Sequence, residues 1–186
     1  MSMTGFAYQL TWNDFGGRVP ASADASTAAF VSTTFRAVAP WTFTGNAGSR
    51  VYTLTSVSCS VALNRSRMWA RPGASVRTAS MLAHERGHYE ISALLTRQVD
   101  QQLTALIGQT FSDQASIDQA ITDARDPLFS IINDLQSQPS GDGTYDTSTN
   151  HGLNANQGAW NRAFAACRGA ARGDLVVALT TQGITI

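Results

Sequence analysis

The chain has 186 residues, which is enough for one domain with a sizeable hydrophobic core. Its formal net charge is zero, only 14% of its residues are charged, and its thirteen basic residues are all arginine and are scattered along the chain. This pattern excludes the basic stripe of a nucleic-acid-binding protein and a polybasic membrane-binding patch, and no apolar run is as long as a membrane span.

The first seventy residues have the composition of β-strands. Valine, threonine and aromatic residues recur there, and apolar residues alternate with others most clearly between residues 51 and 63. Strands are expected at residues 7–12, 29–38, 51–63 and, as a short final strand, 67–69. Glycine and proline concentrate at residues 14–20 and 40–49, which we expect to be loops.

A long amphipathic helix is expected from Val76 to about Gly108, after a turn at residues 71–75. The segment has no proline, and its one internal glycine is Gly87, for which close packing and clearance beside a site are equally good explanations. One helical face carries His84, His88, Ile91, Leu95, Val99, Leu103 and Leu106. The two histidines therefore continue a buried stripe, where an imidazole without a polar partner would be costly.

Residues 84–88 spell the motif H-E-x-x-H. Four of the chain's five histidine and glutamate residues lie between positions 84 and 90. His84 and His88 stand one helical turn apart on one face, and two imidazoles placed in this way can bind one Zn²⁺. Glu85 lies beside them and can take a proton from a water activated by the metal, which suits peptide hydrolysis. A solvated helix face or a pair of core histidines is the alternative, but it leaves Glu85 without a role.

The second half of the chain is expected to be mostly helical. A helix begins at Ser112, is broken or kinked at Pro127 and continues to Leu135. A polar loop follows from residue 139 to about residue 154, and a last helix spans about residues 155–171. Residues 174–186 are expected to form an edge strand or a tail.

A hydrolytic zinc site usually has three protein ligands and one open position. His151, in a polar loop next to a glycine, is the only histidine outside the motif and is the preferred candidate for the third ligand. Asp146 and Glu90 are the alternatives. Glu90 lies two residues past His88, about 200° around the helix, so it is expected to support a ligand from outside the site or to have a structural role.

The two cysteines do not form a zinc-binding motif. Cys59 falls on the inward face of the strand expected at residues 51–63, and Cys167 falls on the apolar face of the last helix. A disulfide and two buried thiols are both compatible with these positions.

Three segments, at residues 10–17, 84–91 and 145–152, together with Gln157 and Trp160, resemble a bacterial family of predicted secreted zinc-dependent proteases (domain of unknown function 922). The resemblance covers about residues 8–165, although the family tends to have Phe and Asp at the positions of Tyr89 and Glu90. It implies a metal site on the motif helix with His151 as third ligand, and it makes Tyr145 or Asp146 a helper there. It also implies an extracellular or periplasmic location, whereas no signal peptide is visible in the first twelve residues and a cytoplasmic location is the alternative.

We therefore expect one α+β domain over residues 1–186, zincin-like, with a mostly antiparallel N-terminal sheet packed on the motif helix and further helices after it. The expected function is that of a zinc metallopeptidase acting on a peptide or protein substrate. In this hypothesis His84, His88 and His151 hold Zn²⁺, Glu85 is the general base and Tyr145 helps to stabilise the oxyanion. A binding or assembly module with a structural zinc and a hydrolase of non-peptide amides are the alternatives, and the oligomeric state is left open.

Overall fold

The computed structural model describes residues 4–73, 75–138, 141–149 and 156–186. The expected α+β class is confirmed, because antiparallel strand pairs in the first half of the chain pack against a long helix and four further helices follow it. The helices are α1 (Ala79–Thr104), α2 (Gln114–Gln136), α3 (Thr144–Thr149), α4 (Asn156–Gly169) and α5 (Leu175–Thr181).

The described strands form four antiparallel pairs rather than one continuous sheet. They are β1 (Ala29–Phe30), β2 (Thr33–Val38), β3 (Trp41–Thr44), β4 (Val51–Leu54), β5 (Ser58–Leu63), β6 (Trp69–Ala70), β7 (Ser137–Gln138) and β8 (Gly141–Asp142). β1 pairs with β6, β2 with β5, β3 with β4 and β7 with β8. β2 and β5 both pack on α1, so this strand pair lies directly against the motif helix.

The single strand expected at residues 51–63 is divided into β4 and β5, and the inward face changes phase between them. Cys59 and Val61 are buried in β5 as expected, but in β4 the buried residues are Tyr52 and Leu54, not Val51 and Thr53. Residues 55–57 between the strands absorb the change, since a shift of one residue turns every side chain to the opposite face. The loop expected at residues 40–49 instead contains β3, which forms a hairpin with β4.

The strand expected at residues 7–12 is wrong, because this stretch is irregular and leads into a 3₁₀ helix at Trp12–Asp14. The Asp14 carboxylate accepts hydrogen bonds from the Thr11 backbone N–H, the Thr11 hydroxyl and the Tyr8 hydroxyl, and these local bonds replace a strand ladder. Arg86 of α1 donates from Nε to the Leu10 carbonyl at 2.8 Å, so the segment is held against the motif helix.

Helix α1 confirms the expected stripe. Thr78 caps its first turn by accepting a hydrogen bond from the Met81 N–H. Ile91, Leu95, Val99 and Leu103 are fully buried, and every residue from 91 to 100 is buried, so this part of the helix is covered on all sides. The two histidines lie toward the N-terminal end of α1, before this covered part.

Three expectations for the second half are corrected. Of the break or kink expected at Pro127, the break does not occur, because α2 passes through the proline as one helix, and α3 lies within the stretch expected to be an irregular loop. Where an edge strand or a tail was expected, Leu175–Thr181 form helix α5, which Asp174 caps by accepting from the Val177 N–H. The last long helix is confirmed as α4, with Trp160 and Cys167 buried on its apolar face.

Both cysteines are free buried thiols in this structure, which answers the question that the sequence left open. Burial, followed by the nearby Asp100 carboxylate, raises the pKa of the Cys59 thiol to about 12. Among the described residues, no helix combines the length and the apolar character that crossing a bilayer requires.

Candidate metal centre

Helices α1 and α3 bring three potential metal ligands together. Asp146 Oδ1 lies 3.0 Å from His84 Nε2 and 3.0 Å from His88 Nε2. One ligand atom from each of the three residues lies within 4.8 Å of the others. The two imidazoles come from successive turns of α1, as the motif spacing predicts, and the carboxylate comes from the first turn of α3.

This arrangement fits a divalent metal ion. In a tetrahedral site with bonds of about 2.0–2.1 Å, neighbouring ligand atoms are about 3.3 Å apart, close to the separation of Asp146 Oδ1 from each imidazole nitrogen. Two imidazoles and one carboxylate are also a ligand set that hydrolytic zinc sites use. The three side chains could therefore hold a metal without a large rearrangement.

The Asp146 carboxylate is ionised over the physiological range. Burial opposes its ionisation, but hydrogen bonds from His84 and His88 outweigh burial and hold its pKa below the ordinary value. An ionised carboxylate between two ring nitrogens is the state in which Asp146 can act as a metal ligand.

Two acceptors face the other ring nitrogen of His84. Its Nδ1 lies 3.3 Å from Gln157 Oε1 and 3.3 Å from Thr149 Oγ1. The Thr149 hydroxyl donates its own proton to the Tyr145 carbonyl, so toward His84 it can act as an acceptor. Both oxygens can accept a proton from Nδ1, which is the tautomer that a metal ion bound at Nε2 would require; on metal binding, coordination would replace the hydrogen bond from His84 Nε2 to Asp146.

Tyr145 is buried beside the ligands rather than exposed to a substrate. Its ring stacks on the His84 ring, with centroids 4.8 Å apart and an angle of 7° between the planes. Its hydroxyl lies 2.9 Å from the His84 backbone carbonyl, to which it donates, and 3.0 Å from Gln157 Oε1. The side chain is fully buried, and burial raises the pKa of its hydroxyl.

Gly87 provides the space for this tyrosine. A β-carbon at position 87 would lie within 3.0 Å of three Tyr145 side-chain atoms, including the hydroxyl oxygen. Of the two explanations offered for Gly87, close packing applies, and the group packed against Gly87 is the buried Tyr145 ring.

The three ligand candidates open onto a cleft of about 730 Å³. Glu85 also lines this cleft although it is only 3% exposed, so the base expected from the motif lies on the wall that carries His84, His88 and Asp146. Residues 26–33, which include β1, form another part of the lining. The cleft is therefore bounded by the N-terminal β layer as well as by the helices.

Glu90 is directed into a different part of the molecule. Its carboxylate forms two hydrogen bonds with Arg168 of α4, at 2.7 and 2.8 Å, and Arg168 also donates to the Phe6 carbonyl. This agrees with the structural role expected for Glu90.

His151, the preferred third ligand from the sequence, lies outside the described residues, so its place in the ligand set stays a prediction.

Sequence reasoning ranked Asp146 below His151 and did not assign roles to Gln157 and Thr149. A signal for Gln157 was available, because Gln157, Trp160 and Phe164 have the spacing of one helical face and a polar residue on a buried face needs a partner. No comparable local signal identifies Thr149, whose contact with His84 depends on how α3 packs against α1.

Comparisons of this chain with protein families, with curated proteins and with solved structures found no match.

Proposed function

We propose that this protein is a zinc metallopeptidase with a zincin-like site. The observation that carries the proposal is the convergence of Asp146 with both histidines of the motif on a cleft that Glu85 also lines. His84, His88 and Asp146 would hold the ion. When bound, Zn²⁺ polarises a carbonyl group and lowers the pKa of a coordinated water to about 7.

Glu85 is the general base in this proposal. It takes the proton of the attacking water and then delivers it to the leaving amine. His84 is oriented by the acceptors on its Nδ1 side, Gln157 and Thr149. The Tyr145 hydroxyl already donates to the His84 backbone carbonyl, so we assign Tyr145 to positioning of the motif helix and do not carry its expected oxyanion role into the proposal.

The volume of the cleft and the strand β1 in its lining support a peptide substrate. Among the described residues β1 has one strand neighbour, β6, and β1 lies within the cleft-lining segment 26–33. An extended peptide can pair with a strand that has a free edge, using backbone hydrogen bonds that do not depend on its sequence. A cleft of about 730 Å³ has room for several peptide residues.

The experiment compares the only two glutamates of the chain. The parent, Glu85→Gln and Glu90→Gln are loaded with zinc, their metal content is measured, and cleavage of an unfolded protein such as casein is followed. We expect about one zinc per chain in all three and a loss of about 10²–10⁴-fold in cleavage for Glu85→Gln alone. Equal cleavage by Glu85→Gln and the parent would refute the mechanism. Zinc binding without any cleavage would favour a structural metal or a non-peptide amide substrate.

A further inference from the structure

The cleft has a distinctive apolar feature, the side chain of Phe30. Phe30 lines the same cleft as His84 and Glu85, and it is 43% exposed. Its ring stacks on the buried ring of Trp69, with centroids 6.3 Å apart and an interplanar angle of 23°. Phe30 is thus backed by a second aromatic ring, and its open face is available to a ligand.

Other apolar side chains continue this surface. The cleft is also lined by Val31 just before β2, Phe35 in β2, Met81 in α1 and Ile132 in α2. Covering exposed aromatic surface with an apolar side chain is favourable, with about 25 cal/mol gained for each Å² removed from water. A bulky apolar side chain of a ligand would therefore bind here better than a small or polar one.

The charged side chains of the cleft also favour an apolar ligand side chain over an acidic one. Its described lining contains the carboxylates of Asp24, Glu85 and Asp146 and no arginine. Hydrogen bonds from the Ser26 hydroxyl and N–H lower the pKa of Asp24, so this carboxylate is ionised at neutral pH. Arg71 lies nearby, but it donates to the Thr27 and Asp24 carbonyls. In a ligand whose metal-binding group already occupies the ion, an acidic side chain would meet the carboxylates of Asp24 and Glu85 and no arginine of the described lining.

We propose that this cleft selects peptides with an aromatic or large aliphatic residue next to the scissile bond, and that Phe30 determines this specificity. The inference rests on the proposed function for the identity of the bond that is cleaved. Its binding component depends only on the cleft and on a metal ion held by the site.

The test uses two short peptide hydroxamates that differ in one side chain, Phe or Asp, next to the metal-binding group. Their dissociation constants are measured on the zinc-loaded parent, Phe30→Ala, Phe30→Leu and the control Phe43→Ala. Phe43 is 44% exposed and packs on the Tyr52 ring, so it matches Phe30 in exposure and in aromatic packing, but it is outside the cleft lining. Thermal unfolding of each variant checks that it is folded.

We expect the parent to bind the Phe probe at least tenfold more tightly than the Asp probe. Phe30→Ala should lower this ratio by about fivefold or more, Phe30→Leu should lower it less, and Phe43→Ala should leave it unchanged. A ratio near one in the parent, or an unchanged ratio in Phe30→Ala, would overturn the inference even if the protein cleaves peptides. A retained Phe preference in a protein that cleaves nothing would refute the proposed peptidase and support the apolar ligand site. Failure to bind either probe would overturn the inference, whereas the proposed function is decided by the cleavage experiment.

Discussion

The Tyr145 ring occupies the space that a side chain on Gly87 would need. Gly87→Ala should therefore displace Tyr145 and, with it, the stacked His84 ring. Alanine alone favours a helix interior by about 1 kcal/mol over glycine, but overpacking typically costs about 1–3 kcal/mol. We expect zinc affinity to fall about 10–100-fold, the range seen when groups that support a ligand are changed.

Gly158 of α4 is the matched control for this change. Within the part of the chain that the structure describes, a β-carbon there would meet only Arg162, at the ordinary contact distance of 3.6 Å. Gly158→Ala should keep parental zinc affinity and be neutral or stabilising in thermal unfolding. Parental affinity in Gly87→Ala would mean that Tyr145 does not position His84.

Replacement of Asp146 tests the ligand set. Asp146→Ala should weaken zinc binding at least 100-fold in a competition titration, because it removes an ionised ligand and not merely a supporting group. Asp134→Ala, at an exposed position of α2, is the control and should bind as the parent does. An unchanged affinity in Asp146→Ala would show that the carboxylate only supports the histidines.

His151→Ala, measured in the same titration, decides the predicted role of His151. The sequence predicts that it weakens zinc binding more than any other substitution between residues 139 and 154. If Asp146→Ala and His151→Ala both lose the metal, the site has four protein ligands, and a closed structural site becomes the better explanation. If only Asp146→Ala loses it, the three-ligand site with an open position is supported.

Gln157 should influence the metal through His84 without touching it. Gln157→Ala removes one acceptor of the His84 Nδ1 proton, and we expect a 10–100-fold loss of zinc affinity. Asn161→Ala removes only a partner of the Gln157 amide and should have a much smaller effect. Equal losses in the two variants would indicate a general effect on α4 rather than an effect on the imidazole.

The sequence predicted a helix well where its apolar pattern was long enough to show which face is buried, and poorly where the segment was short. The α1 stripe from Ile91 to Leu103 was correctly predicted, because one face of a long helix repeats often enough to be distinguished from chance. Helix α5 was missed because seven residues rich in Val, Leu and Thr fit a strand equally well, and the cap provided by Asp174 was the only local sign. The sequence could not decide between a break and a kink at Pro127, because the proline rule describes a local cost, which tertiary packing can exceed.

For the site, the motif predicted the metal-binding residues of α1 but not the residue that α3 contributes. His84, Glu85 and His88 follow from their spacing on α1. The approach of Asp146 depends on α3, a helix of six residues that no periodicity could reveal. The contacts of Tyr145 with His84 and Gly87 depend on the same packing, so the sequence could name Tyr145 but could not give its role.

Asp14 gives a prediction for pH. Burial opposes its ionisation, but hydrogen bonds from Tyr8, Thr11 and Arg65 outweigh burial and lower its pKa to about 2, below the unfolded value of about 3.9. The folded state therefore binds fewer protons at this group, and its stabilisation is present above about pH 4 and is lost as the pH falls to about 2. Asp14→Asn should lower the free energy of unfolding by about 1 kcal/mol at pH 7 in urea titrations, allowing for solvent screening. Its difference from the parent should vanish near pH 2, and a difference that stays constant with pH would contradict this origin.

The fully covered stretch of α1, residues 91–100, has a consequence for how the protein opens. Its amide protons are enclosed by both halves of the chain, so they should exchange with solvent only when the whole domain unfolds. The two histidines sit on the same continuous helix, one to two turns before that stretch. Local unfolding of α1 that releases a bound ion would therefore have to begin at Ala79 and stop before Ile91. This segment has fewer than four helical turns, so only a short part of α1 can unfold locally around the metal site.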